Sequence, residues 1–153
     1  MPDNKDGANL EAAGSWAKKY FFASRALMEA VLRPFYLGNT QWYVLYLLAN
    51  SGPMNQRDLT RALEVERATL STVIGVLVRK NLITQTPDPD DQRQKVLHMT
   101  AAGRDLWDTV PDPIALITTV AFKGVDAADI ATTQRVLSDA TQRLANYKKE
   151  AHN

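Results

Sequence analysis

Apolar positions along this chain recur with a helical period over most of its length and with a period of two over one short stretch. From Leu10 to Arg33, Trp16, Tyr20, Ala23, Leu27 and Val31 return at helical spacing, and Phe21, Met28 and Leu32 form a second stripe beside them. This predicts a long helix with apolar residues over so wide an arc that it has more than one surface to bury against. Pro34 ends or kinks it, and a connector leads to a helix over Gln41–Asn50 that Asn39 or Thr40 would cap. Residues 1–9 are polar and read as a disordered tail.

Gly52 and Pro53 break the pattern, and a more compact region follows. Asn55 is placed as an N-cap with Asp58 three residues on, and Leu59, Ala62 and Leu63 give the buried side of a short helix. A second helix, Glu66–Lys80, buries Leu70, Val73, Ile74, Leu77 and Val78 and turns Arg67, Ala68, Ser71, Thr72 and Arg79 outward. Small residues, hydroxyls and one arginine at its start leave room for close approach to a surface that offers hydrogen-bond partners, as a DNA major groove does. Two short helices joined by a tight turn, the second with such a face, form a helix-turn-helix pattern.

Asn81, which tolerates the left-handed conformation, ends that helix. Ile83–Thr86 and Lys95–Met99 are strand-like, with Leu97 and Met99 alternating onto one face, and the proline-stiffened turn PDPDDQRQ joins them. A hairpin after a recognition helix is a wing. Arg93 near its tip is placed to enter an adjacent minor groove, or to pair with Asp91 at a worth of about 0–1 kcal/mol. Beyond the wing, Thr100 caps a helix through Leu106 and Trp107, which Pro111 and Pro113 interrupt and which resumes over Ile114–Phe122. Asp126 caps the last helix, where Ile130, Leu137 and Leu144 recur every seven residues beside Thr133, Ala140 and Tyr147.

The order of these pieces resembles the MarR (multiple antibiotic resistance regulator) family of winged-helix regulators, over about residues 15–148. The resemblance is carried by Thr40-Gln41, Val44-Leu45, Leu59, Leu63, Leu70 to Leu77, Leu82-Ile83, Asp91-x-Arg93 and the Leu97-x-Met99-Thr100-x-x-Gly103 run. Three positions depart from the family's habit: Asn81 stands where glycine is usual, Glu66 where serine or threonine opens the recognition helix, and Thr84 where an arginine follows the Leu-Ile pair. The implied architecture is mainly α with a small β-hairpin wing. It is a single domain over 10–153, with a winged helix-turn-helix about 39–103 and terminal helices about 10–33 and 104–149 forming a dimerisation region. Ile130, Leu137, Leu144 and Tyr147 are its expected dimer contacts. A two-fold dimer would present two recognition helices to half-sites of a pseudo-palindromic operator about one DNA turn apart.

Composition narrows the function. The 153 residues are 45% hydrophobic and 23% charged, with no cysteine and a net charge of +1. That excludes a thiol redox switch and a general polyanion binder, and the polar N-terminus without an apolar run points to the cytoplasm. Residues 55–80 hold Arg57, Arg61, Arg67, Arg79 and Lys80 against Asp58, Glu64 and Glu66, so affinity for DNA has to come from placed contacts. The expected DNA-facing set is Asn55, Gln56, Arg57, Arg67, Ala68, Thr69, Ser71, Thr72, Arg79, Arg93, Gln94 and Lys95. Two histidines, His98 and His152, and no nucleophile-base-acid set or phosphate loop argue against an enzyme. Asp88, Asp90 and Asp91 lack the glycine and glutamate of a calcium loop, and no cofactor is implied.

The aromatics Trp16, Tyr20, Trp42, Tyr46 and Trp107 serve either as core or as a pocket for a small aromatic or phenolic anion, with Arg25 or Arg104 as counter-ion. The expected function is a sequence-specific DNA-binding transcriptional regulator, a dimeric repressor released by such a ligand. The alternative, encouraged by the acidic wing and Glu66, is a winged-helix protein-interaction module without DNA binding.

Overall fold

In the computed structural model, residues 4–152 are described. The element order is α1 (Asn4–Leu32), a 3₁₀ turn (Arg33–Phe35), α2 (Asn39–Ser51), β1 (Met54–Asn55), α3 (Gln56–Leu63), α4 (Arg67–Arg79), β2 (Ile83–Pro87), β3 (Lys95–Met99), α5 (Ala101–Thr109), α6 (Pro113–Phe122) and α7 (Ala127–Glu150). The chain divides into two compact units at Pro113/Ile114. No helix among the described residues is long and apolar enough to cross a membrane.

The first unit is built on an apolar centre. Leu59 of α3, Leu70, Ile74 and Leu77 of α4, Leu82 and Ile83 at the start of the wing, Leu97 of β3 and Trp42, Val44, Leu45 and Leu48 of α2 are buried. Residues spaced three or four apart supply the helical share of this centre and alternate residues supply the strand share, as the sequence periods require. Val78, expected on the inner face of α4, is 39% exposed, because one residue on from Leu77 it is turned about 100° round the helix, to the rim of the buried face.

The sheet has three antiparallel strands in the order β1-β3-β2. Its wing pairs Ile83 with Met99 and Pro87 with Lys95. The third strand was not anticipated: Met54 and Asn55 pair with Leu97 and Val96. Two residues carry no periodic signal, so only the return of β3 alongside them makes this a strand. Its effect is to fasten the entry to α3 directly to the wing.

Local chemistry sets the ends of the elements. Asn55 Oδ1 accepts from the Asp58 N–H at 2.8 Å and Thr100 Oγ1 from the Gly103 N–H at 2.9 Å, both serving as N-caps. Asp126 caps α7 through Ala128 N–H at 3.0 Å. Asn81 closes the α4 turn with φ 57°. Glu66 precedes α4 without a side-chain cap.

Gly103 explains the close of the wing. A Cβ there would lie 2.1 Å from Leu82 O, closer than a Cβ can come to a backbone oxygen, and 3.0 Å from Met99 Cγ. Leu82 O is also the acceptor for Thr100 N–H at 3.1 Å. The Thr-x-x-Gly run is thus a cap and a close backbone approach in one.

Two expectations are corrected. Residues 4–9, placed in a disordered tail, are part of α1; Gly7 and Gly14 each cost about 1 kcal/mol relative to alanine but carry no stop signal. The tail residues 1–3 lie outside the described residues. The α2 cap is Gly38, not Asn39 or Thr40: the left-handed Tyr36 turns the chain one step earlier, and the Asn39 amide donates instead to Arg25 O at 3.2 Å.

In the second unit, α7 carries the seven-residue series as foreseen. Leu137 is 47% exposed, Leu144 and Tyr147 are each 73% exposed, and Ile130 is half-buried.

Candidate nucleic-acid interface

Three elements converge on a concavity of about 580 Å³: the start of α3, the start of α4 and the wing. Its lining includes Arg57, Arg61, Arg67, Arg93 and Lys95, with Gln56, Thr60, Ser71, Gln85 and Gln94 between them, and it includes no acidic residue. A chain of net charge +1 has here gathered five cations into one hollow. Such a hollow focuses positive potential, which is what a phosphate backbone meets.

Each element has a reason to present these groups. Asn55 uses its side-chain Oδ1 to cap α3 and its backbone to pair with Val96, so it fixes the entry to α3. Gln56 follows, and its Nε2 donates to Ser71 Oγ at 2.9 Å, tying α3 to α4. Because Glu66 supplies no side-chain cap and the first intrahelical bond is Leu70 N–H to Glu66 O, the N–H groups of Arg67, Ala68 and Thr69 remain at the positive end of α4. Such a terminus donates to a phosphate oxygen.

The wing tip is shaped by its aspartates. Asp88 Oδ1 accepts from Asp90 N–H at 2.9 Å, and Asp91 Oδ1 from Arg93 N–H at 3.1 Å. Asp88 N–H to Gln94 O and Gln94 N–H to Asp91 O close the loop. The anticipated Asp91–Arg93 pairing is therefore made through backbone N–H. Among the described residues the Arg93 guanidinium has no ion-pair partner, and it lines the hollow. Acidic side chains that looked adverse to DNA binding are spent on holding the arginine's backbone in place.

Of the expected DNA-facing set, Gln56, Arg57, Arg67, Ser71, Arg93, Gln94 and Lys95 come together in the hollow. Ala68, Thr69 and Thr72 are exposed on α4 but outside it. Arg79 lies in the last turn, about 18 Å along the axis from Arg67 at 1.5 Å per residue, and does not line it. Thr60, Arg61 and Gln85 line it and were not anticipated. Arg61 had a signal, since it stands one turn beyond Arg57 on α3; it also pairs with Asp58 at 3.9 Å. Gln85 had none, because its position depends on the hairpin register that sets it opposite Leu97.

The expected ligand residues separate. Trp42 stacks on Tyr46 with centroids 5.2 Å apart and lies 5.5 Å from Trp107; Trp42 is 1% exposed and belongs to the core, whereas Tyr46 is 41% exposed. Trp16 is 66% exposed under Lys19 Nζ, and Tyr20 is 43% exposed. Arg104 is exposed on α5. Arg25 lies elsewhere, in a second concavity of about 720 Å³ formed by the end of α1, the connector, the start of α2 and the end of α4. Its polar lining includes Glu29, Arg33, Asn39, Gln41 and Lys80. Here Lys80 Nζ donates to Gln41 Oε1 at 2.9 Å and to Tyr36 O, and burial lowers its pKa. Asn39 Oδ1 is buried without a partner. Burial raises the pKa of the nearby Tyr43 phenol, and the Arg25 charge partly opposes that shift.

Comparison with known proteins places this arrangement. Residues 37–95 match the MarR family model. The chain is 27% identical over 108 residues to the transcriptional repressor NicR of Pseudomonas putida, spanning 71% of this chain and 68% of that one. It is 29% identical over 117 residues to the transcriptional activatory protein BadR of Rhodopseudomonas palustris, spanning 72% and 67%. Among solved structures, BpsR of Bordetella bronchiseptica, described by the regulation of its DNA binding by 6-hydroxynicotinic acid, superposes with a TM-score of 0.73 at 23% identity, covering 84% of this chain and 97% of that one.

The fold is a winged helix-turn-helix, and the chain belongs to the MarR family of transcriptional regulators. It is a DNA-binding regulator. The reading as an interaction module without DNA binding falls away, since the family match spans the reading helices and most of the wing.

Proposed function

We propose that the protein is a cytoplasmic, homodimeric repressor that lays α4 in the major groove of each half-site of a pseudo-palindromic operator and inserts Arg93 into the flanking minor groove. The observation that carries this is the hollow lined by five cations and no acid, in a chain that is otherwise almost neutral. Hydroxyls and amides between the cations supply base-edge contacts, and the cations supply phosphate contacts. The exposed series Leu137, Leu144 and Tyr147 on α7 supports pairing with a second copy, and doubling the site gives affinity that one neutral chain lacks. Selection of bound fragments from the source genome tests the reading. Two half-sites about one turn apart are expected; a set of fragments with no common sequence would overturn it.

A second observation favours control by a small aromatic anion such as a hydroxylated carboxylate. The concavity beside Arg25 has the size of a ligand site. Arg25 and Lys80 bring positive charge, Arg33 being paired with Glu29 at 3.5 Å, and the Asn39 acceptor lacks a donor. Because Asn39 Nδ2 already donates to Arg25 O, the unpartnered atom is an oxygen, suited to a hydroxyl. An anion that drew Lys80 from Tyr36 O and Gln41 would loosen the end of α4 from the start of α2, which transmits binding to the reading helix. Calorimetric titration of 4-hydroxybenzoate and 6-hydroxynicotinate, with and without operator and on Lys80→Met, tests this. A typical coupling is about 1–3 kcal/mol; equal ligand affinity with and without operator would refute it.

A further inference from the structure

We propose that Ser71 and Thr72, neighbours on α4, read base edges with opposite hydrogen-bond polarity, and that Gln56 sets that of Ser71. This rests on the reading that α4 lies in the major groove. A hydroxyl has one proton and two lone pairs. On a helix its usual course is to give the proton to the carbonyl one turn back. Thr60, Thr72, Thr109, Thr118, Thr133 and Thr141 all do so. In Thr72 the bond runs to Ala68 O at 3.1 Å. Its proton is spent, and only lone pairs and a methyl group face outward.

Ser71 breaks the rule. Its Oγ receives the Gln56 Nε2–H at 2.9 Å, and among the described residues it makes no bond to its own helix. One lone pair is occupied and the proton is unspent, so Ser71 keeps a donor that Thr72 has already given to its own helix. Gln56 is held firmly enough to impose this. It opens α3 directly after the Asn55 cap, Asn55 is paired with Val96, and the Gln56 carbonyl accepts from Thr60 Oγ1 at 2.8 Å. Gln56 is therefore a positioning residue for Ser71.

The major groove gives the two polarities different meanings. Purine N7, guanine O6 and thymine O4 are acceptors, while cytosine N4 and adenine N6 are donors. Ser71 as donor favours a purine or thymine edge, to which Thr72 has no proton to give. Thr72 as acceptor selects cytosine or adenine, and its methyl group admits the thymine methyl.

The test uses the duplex that wild-type protein selects from a random library, then scores every base pair for wild type, Ser71→Ala, Gln56→Met, the double variant and Thr72→Val. Ser71→Ala should lose about tenfold discrimination at one base pair per half-site. Removing the acceptor there with a 7-deazapurine, or weakening it with 4-thiothymine, should weaken wild type and leave Ser71→Ala unmoved. Gln56→Met should lose the same preference and add nothing in the Ser71→Ala background; additive losses would show that Gln56 reads DNA itself and would overturn its positioning role. Thr72→Val should keep thymine and lose cytosine at the neighbouring pair. A selected cytosine opposite Ser71 would reverse the assigned polarity and end the proposal. A selected operator on which Ser71→Ala changes no preference sinks this inference alone, whereas failure to select any sequence sinks the DNA-reading proposal with it.

Discussion

Replacing Arg93 with alanine removes one of five cations from the reading hollow without disturbing the wing, because the Arg93 bond to Asp91 is made by backbone N–H. Each phosphate neutralised contributes about −0.9 to the slope of log affinity against log salt. If all five cations act and two chains bind together, ten contacts give a slope of about −9, and Arg93→Ala lowers it to about −7. Between 50 and 200 mM salt each contact is worth about 3.5-fold, so losing two weakens the salt dependence over that range by about 12-fold. Fluorescence anisotropy of a labelled operator at five or six salt concentrations measures the slope directly. Arg79→Ala is the control, since Arg79 lies outside the hollow, and its slope should stay near that of wild type. An unchanged slope and unchanged affinity in Arg93→Ala would refute the assignment of the wing. So would a larger slope change from Arg79 than from Arg93.

Gly103→Ala should destabilise the protein by at least the upper part of the usual overpacking range, about 1–3 kcal/mol, because the new Cβ would meet Leu82 O at 2.1 Å; a melting temperature equal to wild type would show that the α5 start shifts freely. Leu137→Asp places a charge in the seven-residue series of α7, where an unpaired buried carboxylate is costly. Sedimentation should then give a monomer with lost operator binding, while a wild type that is monomeric at micromolar concentration would remove the basis for this. The Tyr43 phenol has its pKa raised above 10.0 by burial, so it contributes stability that is present below about pH 10 and lost as pH rises through the folded value. Denaturant titrations at pH 9 to 11 should show this loss in wild type and a smaller one in Tyr43→Phe.

The sequence by itself determined the elements and their order. Helical and alternating periods located α2, α3, α4 and both strands of the wing to within a residue or two at most ends, because the same apolar residues that make the pattern make the core: Leu59, Leu70, Ile74, Leu77 and Leu97 are all buried. Cap chemistry at Asn55, Thr100 and Asp126 was legible for the same local reason. So was the left-handed Asn81.

Tertiary structure alone decided what those elements bring together. The two-residue β1 exists only as a partner for β3. The aromatics Trp42, Tyr46 and Trp107, which by spacing suited either a core or a pocket, pack on one another, and the room beside Arg25 is made by residues of the end of α1, the connector, the start of α2 and α4 that no local pattern links. The same holds for Gln56 and Ser71. They are fifteen residues apart, and their hydrogen bond depends on the angle at which α3 meets α4. Periodicity reports which face of an element is buried; it carries no information on which faces of different elements meet, since packing geometry between non-local segments sets that.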